Sequence, residues 1–378
     1  ESETPTAAVR RCKEMQIKEN QRKTEERKMK KLAAISLVLA MTAASLAGCG
    51  STANTAAPAE SEAAETPAAT TEETTDTAAD TVAADGKVYN IGICQLVQHE
   101  ALDAATQGFQ DALTKLLGEE NVKFDLQNAS GDSATCATIV NQFVSSDVDL
   151  ILANATAPLQ AAAAATNEIP ILGTSVTDYA TALSIDDWTG VTGTNISGTS
   201  DLAPIEEQEA MLKELFPDVK QVGLLYCSAE ANSLYQIQLF EAALDKDGIA
   251  YKEYAIADTN EVQSVTTAAA GECDVLYIPT DNTLASVTET VYNVVAPAKV
   301  PVIAGEEGIC NGCGVATLSI SYYDLGYATG EMAYEILAEG ADITTMDVRY
   351  APNVTKKYNA KICEELGITV PDDYVAIQ

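Results

Sequence analysis

The chain has 378 residues, with 22 Lys+Arg against 56 Asp+Glu, a formal charge of −34 at pH 7, and 47% apolar residues. So large an acidic excess excludes a nucleic-acid backbone as partner, since that needs a basic stripe, and it bears on solubility rather than fold. The length accommodates a lead-in segment followed by two lobes of ordinary domain size.

Residues 1–28 carry Arg10, Arg11, Arg22, Lys23, Arg27 and Lys28 among Glu, Gln and Thr, and they read as a mis-called upstream extension with the true start at Met29. Met29-Lys30-Lys31 then opens an apolar run that ends at Leu46-Ala47-Gly48-Cys49. The run falls short of the roughly 20 apolar residues that cross a bilayer. A basic start, an apolar segment and a small-residue cleavage site read as an export signal over 29–48. The pattern resembles the bacterial lipoprotein signal, which implies lipidation of Cys49 and an extracytoplasmic, membrane-anchored protein. Cleavage there leaves 12 Lys+Arg against 50 Asp+Glu, a charge of −38, and Arg349 as the last arginine. A bidentate arginine clamp on a ligand carboxylate therefore has that single candidate. Residues 49–86 comprise the lipidated cysteine and a run of Ala, Thr, Glu, Ser, Pro and Asp. That composition buries too little surface to offset ordering entropy, so a disordered acidic stalk is expected.

From Val88 the pattern becomes periodic. Strands are expected at Val88–Cys94, Val122–Leu126 and Leu150–Ala153, and helices at Leu102–Leu117, Ser133–Val144 and Pro158–Thr166. Ile171–Gly173 and Val191–Gly193 continue the strands into a polar loop, Asn195–Asp201. A second series follows: helices near 205–216, 232–247, 261–270 and 283–295 alternate with strands at 222–226, 251–256, 275–278 and 302–304. Strand 316–320 and helix 324–338 read as a return to the first lobe. The expectation is α/β, two doubly wound Rossmann-like lobes with a ligand cleft between them, the lobes being 88–203 plus 314–343 and 204–313 plus 344–378.

Ligands in such sheets bind at the carboxyl ends of parallel strands, where the polar clusters fall. These are Gln95, Gln98 and His99, then Asn154, Thr156, Ala157 and Gln160, then Thr174, Ser175, Thr177 and Asp178. The second series offers Ser228, Glu230, Asn232 and Ser233, then Thr280, Asp281 and Asn282, then Glu306 and Glu307. Thr156, Asn232 and Asp281 open helices and fit equally as N-caps. A helix start at Thr156-Ala157 with Ser175 can seat a carboxylate, and Asp281 can meet an ammonium. His99, the one histidine, reads as a packing or hydrogen-bonding residue, since no GxSxG, HExxH, P-loop or GxGxxG segment accompanies it. Seven cysteines follow Cys49, an odd number. Cys94, Cys227 and Cys273 read as small buried hydrophobes, and Cys310-x-x-Cys313 as a loop that a disulfide can close. With one histidine no four-ligand zinc site is supported, and neither metal nor cofactor is expected.

Gln95-x-x-x-His99-x-x-Leu102-Asp103, Ala155-Thr156-x-x-x-Gln160, Thr177-Asp178, Asn195-x-Ser197-Gly198-x-Ser200-Asp201, Glu230-x-Asn232-Ser233 and Pro279-x-Asp281-Asn282-Thr283 occur in order, most of them at strand ends. In this the chain resembles the substrate-binding proteins of ABC importers of the tryptophan/tyrosine type, a type I periplasmic binding fold. The resemblance covers essentially 88–375. It implies a non-enzymatic monomer that binds an amino-acid-like ligand, best an aromatic one, and delivers it to a permease with a cytoplasmic ATPase. It also implies ligand-binding roles for Gln95, His99, Thr156, Ala157, Gln160, Ser175, Asp178, Ser200, Asn232, Ser233, Asp281 and Asn282. A sugar or nucleoside binder of the same fold and a ligand-sensing receptor without transport stay open.

Overall fold

The computed structural model describes residues 87–351 and 353–377. The expected extension, signal peptide, stalk and Cys49 lie outside them. The first series is β1 (Tyr89–Gln95), α1 (Glu100–Leu117), β2 (Val122–Asn128), α2 (Ser133–Ser145), β3 (Leu150–Asn154), α3 (Thr156–Ala165), β4 (Ile171–Val176), α4 (Tyr179–Leu183) and β5 (Ile196–Ser200). The second is α5 (Ile205–Leu215), β6 (Gln221–Cys227), α6 (Ala231–Asp247), β7 (Ala250–Ile256), α7 (Val262–Glu272), β8 (Val275–Ile278), α8 (Asn282–Ala285), α9 (Thr288–Ala298), β9 (Val302–Ala304), α10 (Glu307–Cys313) and β10 (Ala316–Ser319). The chain closes with α11 (Tyr322–Leu337), β11 (Arg349–Tyr350), β12 (Thr355–Tyr358), α12 (Ala360–Leu366) and β13 (Val375–Ala376).

The strands form two sheets, β11-β5-β4-β3-β1-β2 and β13-β12-β10-β9-β8-β6-β7. Pairing is parallel except between β10 and β12. The central strands β3, β4 and β8 are buried at every residue, as expected where helices cover both faces. In each sheet the order reverses beside its first strand, at β1/β3 and at β6/β8, and open α/β sheets place their ligands at such switch points. Helix α11 packs on α1 through Gly326 and Gly330. A Cβ on Gly326 would lie 1.9 Å from the Ala105 carbonyl oxygen, so only glycine permits that approach. Among the described residues no helix is long and apolar enough to cross a membrane.

Four expectations need correction. Asn195–Asp201 is not a polar loop, because Ile196–Ser200 is the buried strand β5. Its hydroxyls are bonded inside: Ser197 to the Met346 carbonyl at 3.0 Å, Thr199 to Thr329 at 2.8 Å, and Ser200 to the Thr177 carbonyl at 2.8 Å. Satisfied hydroxyls carry little penalty in a core. Residues 191–193, expected as strand, are irregular. The strand at 316–319 does not rejoin the first lobe: β10 pairs with β9 and β12 in the second sheet, and only α11 returns. The later β11, placed by sequence in the second lobe, pairs with β5 in the first.

Candidate functional site

A cavity of about 280 Å³ opens between the carboxyl ends of the two sheets. The first lobe supplies Leu96 and Val97 after β1, Ser130, Gly131 and Ser133 after β2, and Thr156, Ala157 and Gln160 after β3. The second supplies Cys227, Glu230 and Asn232 after β6, Ala257, Asp258 and Thr259 after β7, and Asn282, Thr283 and Ser286 after β8. Among the described lining residues there is no Lys or Arg. The volume suits one small metabolite, at the lower edge of the ~300–1,000 Å³ of typical ligand sites.

The first-lobe wall is an uncapped helix start. Ala155 precedes α3 at φ 102°, and its methyl side chain leaves the first amides of α3 without a side-chain cap. An L-residue there costs on the order of 1–3 kcal/mol, and the exposed dipole end favours an anion. Ser175, at the end of neighbouring β4, also has a left-handed backbone (φ 54°), and its buried hydroxyl has no protein partner. The second-lobe wall is acidic and ordered. The Glu230 carboxylate accepts from Asn232 Nδ2 (3.0 Å), Asn282 N (3.1 Å), Asn282 Nδ2 (2.8 Å), Thr283 N (2.8 Å) and Thr283 Oγ1 (2.7 Å). Asp258 stands at the rim, exposed, accepting from Asn260 N at 2.8 Å.

Of the sequence-derived site residues, Thr156, Ala157, Gln160, Asn232 and Asn282 line this cavity. His99 lines an adjoining inter-lobe cavity of about 250 Å³ with Glu100 and Glu306, and its Nε2 lies 3.1 Å from Asn282 Oδ1. Burial lowers its pKa against the pull of Asn282, Glu230, Asp103 and Glu100. The remainder are bound up in the fold. Gln95 is buried, donating to Asp103 at 2.6 Å and accepting from Thr106 at 2.7 Å. Asp178 caps α4 through Thr181 N at 2.7 Å, and Ser200 donates to the Thr177 carbonyl at 2.8 Å within the first lobe. Ser233 donates to Asp281 at 2.8 Å. Asp281 is not open to an ammonium: it accepts from Cys227 N at 2.6 Å and Leu284 N at 2.9 Å and lies almost wholly buried. Burial first, then the charge of Glu230, raises its pKa.

Arg349 is spent outside the cleft, its Nη2 2.7 and 2.8 Å from the two carboxylate oxygens of Glu335. Cys310 and Cys313 sit not in a loop but in helix α10, buried as free thiols, with Cys313 donating to the Ile309 carbonyl at 3.4 Å. Trp188 stacks on Tyr179 with centroids 6.3 Å apart, against the first-lobe core rather than the cavity. The walls after β2 and β7 escaped sequence reading. Ser130-Gly131 and Ala257–Thr259 follow the outer strands of each switch point, so the strand-end rule applied to every strand would have found them.

Two doubly wound lobes with a polar cleft at facing switch points define a type I periplasmic binding protein. The chain belongs to the ABC transporter substrate binding protein family, whose pattern matches residues 90–377. That is a family of transport proteins rather than enzymes. The chain is 39% identical over 268 residues, 69% of its length and 77% of the relative's, to a tyrosine-binding protein of Clostridioides difficile. It also resembles the ABC domain from Streptococcus pneumonia solved in complex with L-Trp (34% identity, TM-score 0.72, 76% of this chain and 97% of that one). A third relative is a substrate binding protein with adhesive properties from Clostridium difficile in its ligand-free, open form (38%, TM-score 0.60, 77% and 100%).

Proposed function

We propose that this ABC transporter substrate-binding protein takes a free aromatic amino acid as a zwitterion in the 280 Å³ cavity. The observation that carries the reading is the polarity of the walls. An uncapped helix start faces an acidic wall of Glu230 and Asp258, and among the described residues no cation lines the space between. The α-carboxylate goes to Thr156 and Ala157 at the start of α3. The ammonium goes to the Asp258 side, in the field of Glu230, and the ring lies against Leu96 and Val97. A ligand held by opposite ends on opposite lobes stabilises closure by its differential contacts.

The named ligands of the relatives, tyrosine and L-Trp, support the aromatic assignment. The better superposition on the L-Trp complex than on the open form, despite lower identity, supports a closed arrangement of the lobes here. In the same reading, a lipid on Cys49 tethers a monomer outside the cell membrane beside its permease. Thermal shift with L-Trp, L-Tyr and L-Phe tests the ligand: a rise in Tm with at least one is expected, and a flat response to all three removes the proposal.

A further inference from the structure

Asn282 faces two ways. Its Nδ2 donates to Glu230 at 2.8 Å within the second lobe, and its Oδ1 lies 3.1 Å from His99 Nε2 of the first. A carboxylate only accepts, so the Asn282 amide cannot be turned round without setting its oxygen against Glu230. Oδ1 must therefore accept from His99, which places the proton of the neutral ring on Nε2. The other nitrogen, Nδ1, is buried without a protein partner. His99 thus makes its side-chain hydrogen bond across the lobe boundary rather than within its own lobe, where it does not cap α1.

We propose that His99 is a positioning residue for ligand capture: its Nε2–H, donated to Asn282 Oδ1 on closure, latches the lobes and fixes the Asn282 amide that orients Glu230 in the cavity wall. This deepens the zwitterion reading and rests on it for the ligand, though not for the latch. Asn311 donating to Glu100 at 3.3 Å, and Gln236 to Thr177 at 3.5 Å, also cross the boundary. Neither touches Glu230, so His99–Asn282 is the crossing that couples closure to the acidic wall. On opening, Asn282 keeps its bonds to Glu230 while His99 gains water at both nitrogens, so the bond belongs to the closed state.

A double-mutant cycle tests this, with His99→Leu, Asn282→Leu, the double variant and His99→Gln, which restores an N–H donor. L-Tyr and L-Trp affinity is read by calorimetry, and lobe separation by small-angle scattering with and without ligand. A hydrogen bond of ordinary strength predicts roughly three- to tenfold weaker binding for His99→Leu, an expanded particle, partial recovery in His99→Gln, and a double variant no worse than Asn282→Leu alone. Equal affinity and equal expansion of His99→Leu and wild type overturn the latch, as do strictly additive effects in the double variant. If His99→Leu fails to fold, the Gln variant and the Asn282 arm read the same bond. If wild type binds no aromatic amino acid but the variants still differ in expansion, the ligand reading falls and the latch stands.

Discussion

Replacing Glu230 with glutamine tests the acidic wall most directly. Three donors converge on Oε2, from Asn232 Nδ2, Asn282 N and Asn282 Nδ2, and two on Oε1, from Thr283 N and Oγ1. A Gln amide offers one acceptor and one donor group, so whichever way it lies its NH₂ meets at least one donor. The least disruptive placement sets the NH₂ against Thr283, whose hydroxyl can rotate to accept but whose backbone N–H cannot. One stranded, part-buried N–H costs about 1–3 kcal/mol, which for a protein of this size lowers Tm by roughly 2–4 °C per kcal/mol. The lost charge also removes the field at the ammonium end, so affinity for L-Tyr or L-Trp falls further than closure alone requires. Differential scanning fluorimetry without ligand reads the first effect, and calorimetry with ligand reads the second. An unchanged ligand-free Tm refutes the packing argument, and unchanged affinity removes Glu230 from ligand recognition.

Gly326→Ala sets a Cβ 1.9 Å from the Ala105 carbonyl oxygen and 2.6 Å from its carbon. Helix backbone yields poorly, so a loss of about 1–3 kcal/mol or more is expected in chemical denaturation; a neutral result would show that α1 and α11 separate freely. Glu306, fully buried as the cap of α10, has its carboxyl pushed up to about 7, chiefly by burial. The unfolded value is about 4.3, so its contribution is fully present below that value and lost as pH rises through about 7. Tm should fall between pH 5 and 8, with a shallower fall in Glu306→Gln, and an unaltered slope in the variant would contradict this. Arg349→Ala breaks an ion pair whose partners are 38% and 32% exposed, so it should cost at most about 1 kcal/mol and leave affinity unchanged; a large loss of affinity would return arginine to the ligand. Mass mapping of the native protein should begin at an acylated Cys49, and any peptide containing Arg10 or Lys18 would remove the start at Met29.

Much of the fold was legible because strands buried on both faces are almost wholly apolar, and Leu150–Ala153 and Val275–Ile278 announce themselves that way. Ile196–Ser200 did not, since its Ser, Gly and Thr look like a loop until Thr174, Thr177, Thr329 and Met346 supply the partners that let hydroxyls enter a core. Part of the cavity wall was visible for a similar reason. Thr156, Ala157 and Asn232 follow recognisable strands and open helices, whereas whether an acid serves the cavity or the fold depends on how the packed lobe buries it: Asp281 is almost wholly buried, and Glu230 lines the cavity.

Sequence alone determined the α/β alternation, the family, and the shortage of cations that bars an arginine clamp after the expected cleavage, because composition and periodicity are local properties of the chain. Tertiary structure decided which sheet receives Ala316–Ser319, that Asp281 is consumed by Cys227 and Ser233 while Glu230 faces the cavity, and that His99 reaches Asn282 across the cleft. These are choices of hydrogen-bond partner between residues as much as 183 positions apart. Only the packed lobes bring such residues within hydrogen-bond distance of one another.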